Sequence, residues 1–293
     1  LDRLVKEIRR QHGNSLQAIL VYGSWLRGKR DTMLDFYVLV EDYRSLGSRW
    51  QAVMCRLLPP NVYHIHLKPD ETADTSSEIR AKYALLTLER FHDAMQRDFH
   101  SYFWARFAHP CEVLYARDVA CQTRLADAFA HAQRHFIKSV LPAMGDHFTS
   151  RELWTRGLAL TYACELRTES QGRGESIYSF DPARYDRATR QFAEQHPRLL
   201  NRLEDGTYTN LGRGSRRRTS AMVWWLRRIQ GKILSVLRLT KASLTFNDAL
   251  DYLLWKIRRH SGIYIEPSER QRRYPLLFAW PLLWKLYRQG AFR

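Results

Sequence analysis

The first apolar positions of the chain, in residues 1–13 (LDRLVKEIRRQHG), recur at helical spacing and predict an amphipathic opening helix. The pattern then changes abruptly. Residues 17–22 (QAILVY) form a short apolar run that stops at Gly23-Ser24, as a strand entering a turn does. After a polar, basic stretch at 25–32 (WLRGKRDT), residues 33–41 (MLDFYVLVE) have the β-branched and aromatic content of a buried strand. Similar runs at 62–68 and 81–87 predict two more strands, and 88–99 shifts to helical spacing. Residues 1–118 therefore read as an α/β domain.

From Val119 the period is helical. Residues 120–140 place Leu125, Phe129, Ala132 and Phe136 at intervals of three and four, and 152–167 does the same with Leu153, Leu160 and Ala163. A helical second domain is expected over 119–212, with loops at the Gly-, Ser- and Arg-rich stretches 170–180 and 204–220. The remaining region, 213–293, is cationic and amphipathic. Its segment 221–240 (AMVWWLRRIQGKILSVLRLT) carries Met222, Trp225, Ile229, Ile233, Val236 and Leu237 near one helical face, with Arg227, Arg228, Lys232 and Arg238 among them. Residues 247–260 repeat that theme, and 270–289 (RQRRYPLLFAWPLLWKLYRQ) sets Arg272 and Arg273 before blocks of leucine and Trp280 and Trp284.

Charge sharpens this division. The 293 residues carry a formal net charge of +17, yet 1–212 hold 29 basic and 26 acidic side chains, whereas 213–293 hold 18 and 4. The last region must face something anionic. Polynucleotide channels use single aromatic platforms in a basic groove, whereas consecutive leucines with tryptophans and arginines suit the headgroup boundary of an anionic membrane. A peripheral membrane surface is expected and nucleic acid is disfavoured. The longest apolar run, 274–284, is about half the roughly 20 residues of a spanning helix and contains two prolines. The opening residues lack the apolar core of a secretory signal. The four cysteines lack metal or disulfide spacing, so a reducing compartment is expected, on the inner, cytoplasmic or matrix-facing side of a membrane.

Candidate chemistry gathers at the first turn. Tyr22-Gly23-Ser24 closes one apolar strand, and Asp35 interrupts the next, where a lone carboxylate is costly to bury without a cation. The arrangement resembles that of the nucleotidyltransferase superfamily, which implies a glycine that lets the backbone approach a triphosphate, a serine hydroxyl that donates to it, and a carboxylate across the turn that holds Mg²⁺ against the α-phosphate. Arg27 lies on the connecting loop. His64 and His66 alternate on one strand face and read as a solvated face or a satisfied pair, without the further ligands zinc needs.

Tyr22-Gly23-Ser24 with Asp35 resembles the signature of the nucleotidyltransferase superfamily, whose commonest pattern has a second acid where this chain has Tyr37. Beyond the turn, the chain resembles the Tam41-type mitochondrial phosphatidate cytidylyltransferases as a distant, bacterial-type relative. Residues 22–24 with 33–36 are similar to that family's "YGS … MLDF" core. Lys82-Tyr83 is similar to its "KYG" strand, and 160–167 (LTYACELR) to its "LSYSGDFRM" segment, with Glu165 at the acidic position and Arg167 at the basic one. The resemblance implies a nucleotidyltransferase-type mixed sheet with helices. It implies a Mg²⁺-dependent enzyme joining CTP to phosphatidate, giving CDP-diacylglycerol and pyrophosphate. It also implies roles: Asp35 as metal ligand, Glu165 as second ligand or base, and Lys82 and Arg167 neutralising phosphate charge. Two alternatives stay open, a nucleotidyltransferase acting on RNA or a small molecule, and a degenerate, non-catalytic nucleotide-binding scaffold on a membrane. Base choice and oligomeric state are not legible.

Overall fold

The computed structural model describes residues 1–23, 25–28, 34–44, 46, 49–67, 79–165, 172–212, 215–245 and 268. Helix α1 (Asp2–His12) leads into β1 (Leu16–Tyr22), and β2 (Leu34–Val40) returns antiparallel to it. Helix α2 (Arg49–Leu57), β3 (Asn61–Leu67) and β4 (Ile79–Thr87) follow, then α3 (Leu88–Arg97), the single turn α4 (Trp104–Phe107) and β5 (Cys111–Ala116). These strands make one mixed sheet in the order β3-β4-β2-β1-β5, in which only the β2–β4 pair is parallel. The four expected strands are present within a residue or two of their expected ends. Strand β5 and helix α2 are not anticipated by the sequence reading; β5 is an edge strand with Glu112 and Val113 exposed.

The central strands read as unbroken apolar runs because both faces of the sheet are covered. Ile19, Val21, Phe36 and Val38 pack on one side against Leu4 and Ile8 of α1. Ala18, Leu20, Tyr37, Leu39, Ala84 and Leu86 pack on the other against α3, α4 and α5 (Val119–Val140). The second apolar cluster is continuous from Ala18 through Phe136 and Trp154 to Trp224.

The helix expected over 120–140 is α5, whose Leu125, Ala132 and Phe136 are buried. Helix α6 (Ser150–Tyr162) starts from a capping box between Thr149 and Glu152. It ends earlier than its periodicity suggested: Cys164 and Glu165 donate back to the carbonyls of Thr161 and Tyr162 in a closing turn. The segment 170–180 is not wholly loop, since it contains α7 (Arg173–Tyr178); α8 (Pro182–Gln195) follows, capped by Asp181. Nor is 204–220. It holds β8 (Tyr208–Asn210), which joins β6 (His147–Phe148) and β7 (Leu200–Arg202) in a small sheet within the helical part, and the start of α9. Gly-, Ser- and Arg-rich composition marks exposure there rather than absence of regular structure.

Helix α9 (Ser215–Thr245) contains the cationic helix expected at 221–240 and, at 31 residues, is about 46 Å long. Its polarity is inverted. Arg227 is 8% exposed, whereas Trp225 is 57% exposed, and Met222, Leu226, Ile229, Ile233, Val236 and Leu237 are exposed with it. Two of the basic residues that the sequence places among its apolar positions, Arg227 and Arg238, face the protein. Arg227 donates to the Phe99 carbonyl (2.9 Å) and to Ser139 Oγ (3.2 Å), and Arg238 to the Pro59 carbonyl (2.9 Å). Lys241 donates to the carbonyls of Leu58 and Pro60 and to Asn61 Oδ1. Carbonyl oxygens and aromatic faces thus hold the inner side of this helix. No helix among the described residues is long and apolar enough to cross a membrane. The expected amphipathic segments at 247–260 and 270–289 lie outside the described residues.

Candidate functional site

The end of β1 and the start of β2 meet at the turn singled out above. Tyr22 lies opposite Asp35 in the antiparallel register, and Asp35 lies beside Lys82 in the parallel one. All three side chains therefore fall on the sheet face that carries α4 and α5. Gly23 adopts φ +93, a left-handed conformation that side chains rarely accept, and a Cβ there would lie 3.8 Å from Asp35 Oδ2. The turn's backbone thus borders the carboxylate directly. Lys82 Nζ is 2.9 Å from Asp35 Oδ1 as an ion pair, and among the described residues that buried oxygen has no hydrogen-bond partner. A carboxylate with an unsatisfied, buried oxygen beside a glycine turn is suited to one ligand position on a hard divalent cation. Mg²⁺ takes few protein oxygens and completes its shell with water and phosphate.

Two residues farther along β2, Tyr37 is fully buried. Its hydroxyl accepts from Arg106 Nη1 of α4 (2.9 Å), and Arg106 Nη2 donates to Glu165 Oε1 (3.2 Å). Burial pushes the Tyr37 phenol well above its ordinary value despite Arg106, so it remains a neutral hydroxyl. Arg106 lies 5.5 Å from the Tyr22 ring centroid and 4.2 Å from that of Tyr102, and Arg238 of α9 lies 4.0 Å from the Tyr102 centroid. One aromatic ring thus sits against two guanidinium groups, a cation–π arrangement that links α9 to the site. Next to it, His109 is held down to about 3, by burial first and then by Arg27, Arg184 and Arg106. Its Nδ1 is 3.0 Å from Tyr185 Oη.

The structure brings Tyr22, Gly23, Asp35 and Lys82 together and ties Glu165 to the same cluster through Arg106 and Tyr37. Glu165 serves there as the counter-ion of a buried guanidinium. Arg27, in a short 3₁₀ turn after Gly23, adds positive field on the His109 side. His64 lies opposite Lys82 on β3. Ser24, Arg167, Arg272, Arg273, Trp280 and Trp284 lie outside the described residues. Sequence reasoning missed Arg106, Tyr102 and Arg238, which sit in aromatic or amphipathic stretches without a motif.

A second polar group joins His92 of α3 with Asp127 and His131 of α5, their ligand atoms within 4.8 Å of one another. Two imidazoles and one carboxylate suit zinc-type ions rather than Mg²⁺. However, Arg134 Nη2 donates to His131 Nδ1 (3.1 Å), which puts the proton of the neutral ring on the nitrogen facing Asp127. The group is thus arranged as a hydrogen-bonded cluster. Neither the family models nor the curated proteins match this chain.

Proposed function

We propose that the chain is a Mg²⁺-dependent nucleotidyltransferase that makes CDP-diacylglycerol and pyrophosphate from CTP and phosphatidate at an anionic membrane surface. The observation that carries this reading is the contact of the Gly23 turn with Asp35, with Lys82 at 2.9 Å. In this reading a phosphate oxygen of the lipid forms a bond to the α-phosphorus of CTP. The bond from that phosphorus to the bridging oxygen of the β-phosphate breaks, and pyrophosphate leaves with the electron pair. The attacking phosphate is already anionic, so no general base is required. Gly23 admits the triphosphate to the backbone, and Asp35 contributes the protein's ligand to Mg²⁺. Lys82 and Arg27 would neutralise phosphate charge. The bound ion supplies charge neutralisation on the triphosphate. Arg106 and Glu165 position Tyr37 and Tyr22 beneath the turn.

The outward apolar face of α9 supports the membrane part of the reading. A helix with Trp225, Ile229, Ile233 and Leu237 exposed, and Arg228 and Lys232 exposed among them, suits the headgroup boundary of an anionic bilayer. The test offers labelled CTP, ATP, GTP and UTP with phosphatidate vesicles and Mg²⁺ and identifies the lipid product. CDP-diacylglycerol formation is expected, with Asp35→Asn lowering turnover by orders of magnitude. Because Tyr37 replaces the second acid and is engaged by Arg106, a non-catalytic nucleotide-binding scaffold is the second reading. Mg²⁺-dependent CTP binding without any transfer product would establish it.

A further inference from the structure

A cleft of about 610 Å³ opens away from the Gly23 turn, where α5, the end of α3 and the first half of α9 meet near His196. Its walls include Arg134, Lys138 and Arg227, together with His131, His135 and His196. None of the described residues lining it is an aspartate or glutamate. Asp127, the acid on α5 that approaches His131, is also engaged by His92 at 3.1 Å. The field in the cleft is accordingly positive, and its histidines register it. Burial lowers His131, His135 and His196, and Arg134, Lys138 or Arg227 lowers each further. Arg227 itself falls to about 10 on burial, without a carboxylate to compensate it.

Hydrogen-bond accounting gives an independent sign. Among the described residues, Arg134 Nε, His196 Nε2 and Trp224 Nε1 are buried without a hydrogen-bond partner, and all three residues line this cleft. Buried polar nitrogens are rarely left unmet, and three on one cleft point to a ligand rich in acceptors that small side-chain rotations would reach. Three cations and donors on several sides match a tetrahedral, multiply charged oxyanion better than a planar carboxylate.

We propose that this cleft binds a phosphate monoester group, at a site separate from the Gly23–Asp35 turn and independent of whether that turn transfers nucleotides. The same chemistry could come from a soluble phosphate ester or from a lipid headgroup. The second source has a structural argument: Val223 and Trp224 line the cleft on the helical turn whose other side exposes Met222, Trp225 and Leu226.

The experiment titrates the full chain calorimetrically with sn-glycerol 3-phosphate, and separately floats it with phosphatidylcholine vesicles with and without phosphatidate. Arg134→Gln/Lys138→Gln is compared with Arg97→Gln/Arg124→Gln, which removes the same charge from exposed positions elsewhere, and with Asp35→Asn. Lys138→Glu, at an exposed side chain, serves if the double variant does not fold by circular dichroism. Saturable binding of glycerol 3-phosphate is expected, weakened about tenfold or more by the cleft variants and unchanged by the control pair and by Asp35→Asn. A matching loss of flotation confined to the cleft variants identifies a lipid headgroup. Equal flotation of both pairs, with glycerol 3-phosphate binding still lost, identifies a soluble ester. Absence of saturable binding to either probe, or equal weakening by the control pair, overturns the site.

Discussion

At Gly23 the backbone takes a conformation that costs a side chain about 1–2 kcal/mol, while the space around it is ordinary contact distance. Gly23→Ala is therefore expected to cost about that much in urea denaturation and to weaken CTP binding by moving the turn, whereas a purely structural turn would lose stability alone. Arg106 sets the opposite kind of constraint. Removing it as Arg106→Leu leaves Glu165, 18% exposed, without its counter-ion and should destabilise by about 3–5 kcal/mol. Arg106→Lys keeps the charge but loses the two-pronged reach to Tyr37 and Glu165, so it should fold with a smaller loss; equal stability of Leu and wild type would remove Arg106 from this role. The two residues also differ in legibility. Asp35 stands out in a sequence because a charge breaks an apolar strand, and Gly23 because a strand ends there. Arg106 lies among aromatics in a one-turn helix, and its two partners come from positions far along the chain, so no local pattern announces it.

Helix α9 shows where periodicity stops being informative. Spacing establishes that one face is apolar, but not whether that face turns inward, because the choice depends on what the rest of the fold offers. Here the fold offers the carbonyls of Pro59, Pro60 and Phe99 and the ring of Tyr102, which receive Arg227, Arg238 and Lys241. Gly231 is part of the same contact. A Cβ there would come within 2.4 Å of the Cys164 carbonyl oxygen, so Gly231→Ala should push the helix off the turn before Glu165 and cost about 1–3 kcal/mol. Trp225→Ser/Ile229→Ser/Ile233→Ser should do the reverse, leaving the melting temperature near wild type while reducing co-sedimentation with anionic vesicles at moderate salt, where charge is screened and apolar insertion is not. Unchanged sedimentation would separate the outer face from any membrane role. The strands were legible because they alternate between two covered faces. The three short strands of the small sheet were not, since two or three residues carry too little pattern to set against a loop.

Across the molecule, several histidines among the described residues, His100 and His109 foremost, are pushed toward the neutral form. Burial is the first cause for His100, lowered to about 4, and for His109, lowered to about 3, and neighbouring arginines add to it in both. An unfolded chain protonates such groups near their ordinary value of about 6.5, so between that pH and the folded values it binds protons that the native state refuses. Stability should then rise with pH through this window. At pH 5 each residue should cost about 2 kcal/mol relative to neutral pH, and His100→Asn/His109→Asn should flatten the urea midpoint between pH 5 and 7. A slope unchanged by that pair would assign the acid response to other groups. The mixed sheet carries a different consequence. Asp35 and Lys82 are neighbours only through the parallel β2–β4 pairing, which must wait for a long crossover to close, while α3, α4 and α5 meet through shorter separations. During refolding the chain should bury its aromatic centre before its charged pair is aligned. Pulse-labelled amides of α5 are expected to gain protection ahead of those of β2 and β4. A newly made chain would on this schedule be compact for a time without yet being competent, and a slip of one residue in β4 would turn Lys82 to the opposite face and leave a stable molecule with no paired aspartate.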